Sequence, residues 1–312
     1  MEVIRGAHNI RPEHRGCVIT IGNFDGVHLG HQAILHRISE ISSGLGASTM
    51  LICFEPQPKE FFMAFDAPAR LTRFREKAEL LAQHGIDYLL CLQFNEAMRT
   101  MGADEFVSLL VDQLAVKGIF IGDDTRFGKN REGGIEDLRA AGKAHGFQVT
   151  NMYTLNVGDD RVSSTRIREC LAQGDFSQAE ALLGRPYSIK GKVVYGRQLG
   201  RTLDAPTANI QLNRYRAPLD GSFAVEIVRQ GKVLKGVANV GVRPTLNETT
   251  PRPLLEVHIF DFSGSLYGER VEVIFRHKIR DEKKFSGLDE LKAAIRSDMN
   301  IARTFFGLPP LS

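Results

Sequence analysis

The first half of the chain alternates short apolar blocks with stretches of helical periodicity. Residues 17–21 (CVITI) form a nearly continuous apolar run, too short for a helix and suited to a strand covered on both faces. A helical pattern follows over 27–41, with Ile34, Ile38 and Ile41 on one stripe. The alternation continues with strands at 49–54 (TMLICF), 88–94 (YLLCLQF) and 118–121 (GIFI), and an extended stretch at 148–155. Helices are predicted between them at 74–84, ending at Gly85, at 103–114, and at 137–145, ending at Gly146. This order predicts an α/β domain built on a doubly wound parallel sheet. Two short helices close it: 164–173, ending at Gly174, and a second that Asp175 caps with Gln178 in the capping-box position, ending at Gly184.

From Tyr187 onward the period changes to that of strands. Runs at 192–195, 208–212, 223–229, 233–240, 255–262 and 271–278 are separated by turn residues, with Gln230-Gly231 as a hairpin signal. Six such runs without intervening helices predict an antiparallel β-barrel. One amphipathic helix ends the chain, with Ser286 as its expected N-cap, Asp289 in the capping position, and a stripe of Leu288, Leu291, Ile295 and Met299. The expected boundary is Gly184-Arg185-Pro186, giving domains 1–184 and 185–312. There is no internal repeat and no low-complexity tract.

Composition narrows the function. At 312 residues, 43% hydrophobic and 25% charged, the chain has the balance of a two-domain globular protein. Forty Lys and Arg nearly cancel 37 Asp and Glu, so the net charge of +3 gives no electrostatic case for nucleic acid or an anionic membrane. The early charges of MEVIRGAHNI argue against a secretion signal, and no apolar run reaches the ~18 residues of a membrane span. Cys17, Cys53, Cys91 and Cys170 are scattered, as expected of reduced packing thiols in a cytoplasmic protein rather than of a disulfide or zinc framework. Self-association is not legible.

The first chemical constellation is Gly22-Asn23-Phe24-Asp25-Gly26-Val27-His28-Leu29-Gly30-His31, directly after the first predicted strand. Ligands of open α/β sheets bind beyond strand carboxyl ends, where glycine admits backbone close to phosphate and a helix N-terminus favours negative charge. His28 and His31 share one helical face, so both imidazoles can donate to phosphoryl oxygens as charge develops, with Gly30 leaving room for the nucleotide. Ser163-Ser164-Thr165-Arg166-Ile167-Arg168 offers a capping serine, a hydroxyl and a cationic fork, a set suited to a triphosphate. The second constellation, Pro206-Thr207-Ala208-Asn209, puts a hydroxyl and an amide oxygen on one side of a strand, where hard oxygens suit magnesium. Glu256 is a candidate carboxylate to accept a proton in a reaction at this site. Gly191, Gly196 and Gly200 are expected to allow close backbone approach to a ligand.

These segments resemble the bacterial bifunctional riboflavin kinase/FAD synthetase family. HxGH within GNFDGVHLGH, FEPQP at 54–58, PARLT at 68–72, GDDTRFG at 122–128 and SSTRIR at 163–168 resemble the motifs of its nucleotidyltransferase half. PTAN, GVANVGVRPT at 236–245, LEVHIFDF at 255–262 and LYG at 266–268 resemble those of its kinase half. Thr125 departs from that pattern, which has an aromatic there, and Asp204-Ala205 stand where it usually has Gly-Phe. The resemblance implies that the barrel phosphorylates riboflavin to FMN with ATP and that the α/β domain adenylylates FMN to FAD, releasing pyrophosphate, with Mg2+ at both sites. It implies ATP and phosphate contacts at Gly22, Asn23, Phe24, Gly30, Ser164, Thr165 and Arg168, and flavin contacts at Phe62, Asp124 and Phe127. In the kinase half it implies nucleotide and flavin contacts at Gly191, Gly196, Gly200, Thr207 and Asn209, with Thr207 and Asn209 also ligating the metal. Three other readings compete: a different nucleotidyl transfer, a kinase whose first domain is weakened at Thr125, and a flavin- or RNA-binding module without turnover.

Overall fold

The computed structural model describes residues 1–122, 125–152, 155–158, 160–195, 207–243 and 252–311. Two compact units emerge: 1–68 with 74–163, and 69–73 with 164–312.

The first unit is a six-stranded parallel sheet in the order β1-β4-β3-β2-β5-β6. Its strands are β1 (Glu2–Arg5), β2 (Val18–Ile21), β3 (Thr49–Glu55), β4 (Tyr88–Gln93), β5 (Gly118–Gly122) and β6 (Gln148–Met152). Helices α1 (Leu29–Gly44), α2 (Pro58–Met63), α3 (Phe74–Gln83), α4 (Glu96–Thr100), α5 (Ala103–Ser108) and α6 (Ile135–His145) connect them. A two-residue pairing of β7 (Asn156–Val157) with β8 (Asp160–Arg161) follows. β2, β3 and β4 are apolar along their lengths because clusters cover both faces: Ile19, Ile52 and Leu90 enter one, Leu51, Cys53 and Leu89 the other. From β2 the chain first builds β3 and β4 on one side, then crosses to β5 and β6 on the other. The carboxyl end of β2 therefore lies at the topological switch point, where open α/β sheets hold ligands. All four cysteines are buried free thiols, as expected, and burial pushes the Cys17 thiol up to about 12.

The second unit centres on a closed barrel, β10-β13-β12-β11-β14-β9. Its strands are β9 (Ser188–Val194), β10 (Ala208–Gln211), β11 (Gly221–Arg229), β12 (Lys232–Arg243), β13 (Arg252–Ile259) and β14 (Arg270–Arg280). Gln230 and Gly231 both take positive φ (48° and 78°), the two-residue hairpin chemistry that their identities predict. Helices α7 (Ser164–Gln173) and α8 (Phe176–Leu183) belong by packing to this unit. Phe176 lies edge-on to Phe223 at 5.9 Å, and the Lys278 ammonium donates to the carbonyl of Ala172 at 2.8 Å. Asp175 caps α8 by accepting from the Gln178 N–H. The 69–73 segment is pinned here too, with Arg214 donating to the Arg70 carbonyl at 2.9 Å and the Tyr187 hydroxyl to that of Leu71 at 3.3 Å.

The last helix, α9 (Leu288–Phe305), packs Met299 and Ala302 against Ala224 and Val237. Its start differs from expectation. Gly287 is the N-cap, and Ser286 instead bonds through its N–H and hydroxyl to the Glu290 carboxylate. Leu288 is 69% exposed and falls off the buried stripe, since the first turn projects beyond the barrel-facing cluster.

Candidate active sites

In the first unit the segment after β2 compresses into a tight turn. Phe24, Gly26 and Val27 all take positive φ (48°, 85° and 41°). For β-branched Val27 that conformation costs on the order of 1–3 kcal/mol, and such strain persists only where surrounding packing enforces it. Val27 is fully buried. The turn delivers His28 to the N-cap of α1, where its imidazole accepts from the His31 N–H at 3.3 Å. The two imidazoles stack at 3.6 Å between centroids, tilted by 15°. Phe24 stacks on His31 at 4.4 Å, so three rings form one column. A Cβ on Gly30 would stand 3.2 Å from the His28 ring, so the space that glycine leaves there is bordered first by this imidazole.

His31 Nδ1 is buried and has no hydrogen-bond partner. Leaving such an atom unmade costs about 1–3 kcal/mol, the kind of debt that a ligand group can relieve. Burial, then the neighbouring His28 and Lys77, hold the His31 imidazole well below its ordinary range, so it is neutral at physiological pH. A neutral imidazole still presents one N–H donor and one acceptor nitrogen. Gly22 and Asn23 supply backbone at the mouth of the turn, and Lys77 donates to the Asn23 carbonyl at 3.1 Å.

The expected flavin contacts fare differently from one another. Phe62 on α2 is 62% exposed, beside exposed Met63 and Phe65, and is edge-on to Phe94. Phe127 is half-buried, packs on Phe106 at 5.2 Å, and pairs its backbone with Gly133. Asp124 lies outside the described residues, as do Gly196, Gly200 and the Asp204-Ala205 departure. Thr125 donates its N–H to the Gly122 carbonyl at 3.1 Å.

Ser164, Thr165 and Arg168 open α7 in the second unit. The Arg168 guanidinium donates through Nε to the Ala69 carbonyl at 2.5 Å, so it anchors the 69–73 segment.

On the barrel, Asn209 of β10, Glu256 of β13 and Asn239 of β12 stand opposite one another in register, forming a row across three strands. Asn209 is 5% exposed, and its Oδ1 is buried without a partner. Thr207 lines an adjacent cavity of about 380 Å³, together with Val193, His258, Asp261, Phe262 and Tyr267. Tyr195 stacks on Tyr267 at 4.0 Å. At Gly191 the close approach is made by the neighbouring strand: a Cβ would meet Ile210 Cγ2 at 2.3 Å.

Two groups at these sites were not legible from residue patterns. Glu282 sits in a run of charges that suggests only a solvated turn, yet its carboxyl hydrogen-bonds Asn239 and would lie 2.8 Å from a Cβ at Gly241. Although the residue is exposed overall, desolvation of that carboxyl raises its pKa, with the negative charges of Asp220 and Glu256 adding to the rise. Lys77 occupies a charged helical stretch that gave no sign of its burial.

Comparison with known proteins decides the family. A FAD synthetase family model matches residues 10–166 and a riboflavin kinase model residues 183–306. The bifunctional riboflavin kinase/FMN adenylyltransferase of Pseudomonas fluorescens is 49% identical over 97% of both chains. The Escherichia coli K12 protein of the same name is 48% identical over 99% of both. The chain belongs to the bifunctional riboflavin kinase/FMN adenylyltransferase family. It is an enzyme of flavin cofactor synthesis, with a FAD synthetase part and a riboflavin kinase part. A solved structure described as a macrolide-efflux protein from Streptococcus pneumoniae is also similar, with a TM-score of 0.80 at 28% identity over 97% of this chain and 99% of that one. Among the described residues here, no helix is long and apolar enough to cross a membrane.

Proposed function

We propose that the two activities are divided between the two constellations: adenylyl transfer at the β2–α1 turn, in a domain of residues 1–184, and riboflavin phosphorylation at the Asn209–Glu256 row, in a domain of residues 185–312. The observation that carries this reading is a pair of orphaned buried polar atoms, His31 Nδ1 in one compact unit and Asn209 Oδ1 in the other. Each lies among the residue types that its reaction requires.

In the kinase reaction Glu256 accepts the proton of riboflavin's primary alcohol, whose oxygen attacks the γ-phosphorus of ATP while ADP leaves. The Thr207 hydroxyl and the Asn209 amide oxygen fit a magnesium ion, since both are hard neutral oxygens and the second lacks a partner. When bound, magnesium neutralises charge on the ATP phosphates. The cavity beside Thr207 is large enough for a nucleoside base, and Tyr267 offers an aromatic wall.

In the adenylyl reaction an FMN phosphate oxygen attacks the α-phosphorus of a second ATP, and pyrophosphate departs. His28 and the neutral His31 donate to phosphoryl oxygens as negative charge builds. Phe62, the most exposed of the aromatics around α2, is available to a flavin ring. The buried free thiols suit a reducing, cytoplasmic setting, and the near-balanced charge gives nucleic acid no foothold. A chromatographic time course of riboflavin, FMN and FAD with MgATP tests the whole scheme. Glu256→Ala is expected to stop FMN formation while sparing FAD formation from supplied FMN, and His28→Ala to do the reverse. Loss of both activities in either folded variant would refute the division.

A further inference from the structure

Lys77 is among the most completely buried large side chains of the molecule, at 1% exposure, in an enzyme half whose expected chemistry makes no use of it. An ammonium taken out of water costs several kcal/mol unless it is paired. Its partners are therefore the reason for its presence. Nζ donates to the Asn23 carbonyl at 3.1 Å, approaches the Glu55 carboxylate at 3.5 Å, and lies 5.8 Å from the centre of the Phe74 ring. Glu55 is the last residue of β3, and Asn23 follows the end of β2, its parallel neighbour in the sheet. One charge thus fastens two adjacent strand ends at the side of the sheet where ligands bind.

The fastening point is next to the ring column. Asn23 directly precedes Phe24, whose positive φ turns its ring onto His31, and His31 stacks in turn on His28. We propose that Lys77 is a positioning residue for adenylyl transfer: by holding the Asn23 carbonyl to the Glu55 carboxylate it fixes the turn that presents His28 and His31. This rests on adenylyl transfer occurring at that turn. Burial first, then His28, and then this same ammonium keep the His31 imidazole unprotonated, which gives a readout independent of turnover.

The test uses the full chain carrying K77M, with riboflavin phosphorylation by the barrel as an internal control of folding. Three quantities are measured: kcat and KM for FAD formation from FMN and MgATP, riboflavin phosphorylation, and the His31 imidazole titration by NMR. The expected result is a kcat for FAD formation lowered about tenfold or more, as misplacement of a reacting group produces. Riboflavin phosphorylation stays unchanged, and His31 titrates at higher pH once the neighbouring positive charge is gone. K77R, which keeps the charge, is expected to retain the low His31 titration. A wild-type kcat in K77M, or a His31 titration that does not move, overturns the proposal. If K77M does not fold, E55Q takes its place: slowed FAD formation with intact phosphorylation supports the tie, and a wild-type kcat overturns it. His28→Ala separates the two levels, because unimpaired FAD formation in that variant removes the site itself while leaving the titration shift to report on Lys77.

Discussion

The turn after β2 and the row on the barrel, the two places proposed for phosphate chemistry, are built from opposite materials. The turn is a column of stacked rings, packed on strained backbone and steadied by a buried ammonium. The barrel row consists of amide and carboxylate oxygens on three paired strands beside an open cavity. Rings in a column can present N–H groups at fixed positions, which suits a reaction that needs charge stabilised but no base. Oxygens in register suit a reaction that needs a cation held and a proton removed. The difference teaches that local rigidity is obtained by packing in one case and by strand pairing in the other.

Breaking the comparison begins with its most demanding residue. Glu256→Gln should lower riboflavin phosphorylation by about 10³-fold, within the range that a positioned proton acceptor contributes, with FAD formation from FMN untouched. His28→Ala should lower FAD formation by about 10²-fold, the scale of losing one preorganised donor, measured as kcat with saturating FMN. Asn209→Ala should raise the magnesium concentration needed for half-maximal phosphorylation by about tenfold and leave the magnesium dependence of FAD formation unchanged. Gly30→Ala sharpens the argument about packing. Its methyl group would press on the His28 ring at 3.2 Å, so FAD formation should fall by about tenfold without loss of fold.

The smallest effect is on stability. His31 is held below its ordinary pKa of 6.5 in the folded chain, so below that pH the unfolded chain takes up a proton that the folded chain refuses. Stability of the first unit is therefore full above pH 6.5 and declines as the pH falls from there toward the depressed value. Thermal melts at stepped pH, followed through the first unit's signals, should display this decline, and His31→Gln should reduce it.

Much of this was legible in residue order. The parallel sheet, the barrel, the Gln230-Gly231 hairpin and the Asp175 cap all follow from local chemistry, because each depends on a period or a turn preference contained in a few residues. What escaped depended on remote partners. β1 has only Ile4 buried, and its pairing partner begins at Tyr88, so nothing within EVIR announces a strand. The helix predicted over 103–114 stops at Ser108 and continues as a π-turn, Leu109–Gln113, a difference in hydrogen bonding that a hydrophobic stripe does not encode. Among the candidate site residues, the motifs singled out both constellations from local residue order. They did not separate Phe62, which stands in solvent, from Phe127, which packs, nor did they distinguish Lys77 and Glu282 from the many surface charges.

The seating of α7 and α8 on the barrel has a practical consequence for dissecting the enzyme. A polypeptide ended at residue 184 would keep the SSTRIR sequence but lose the wall that covers Phe176, leaving a sticky aromatic in water. A polypeptide begun at 185 would in turn lack the helical plug that Lys278 anchors. Halves divided by reaction are therefore poor halves to purify, and a barrel fragment that starts at residue 164 should be the more soluble of the two choices.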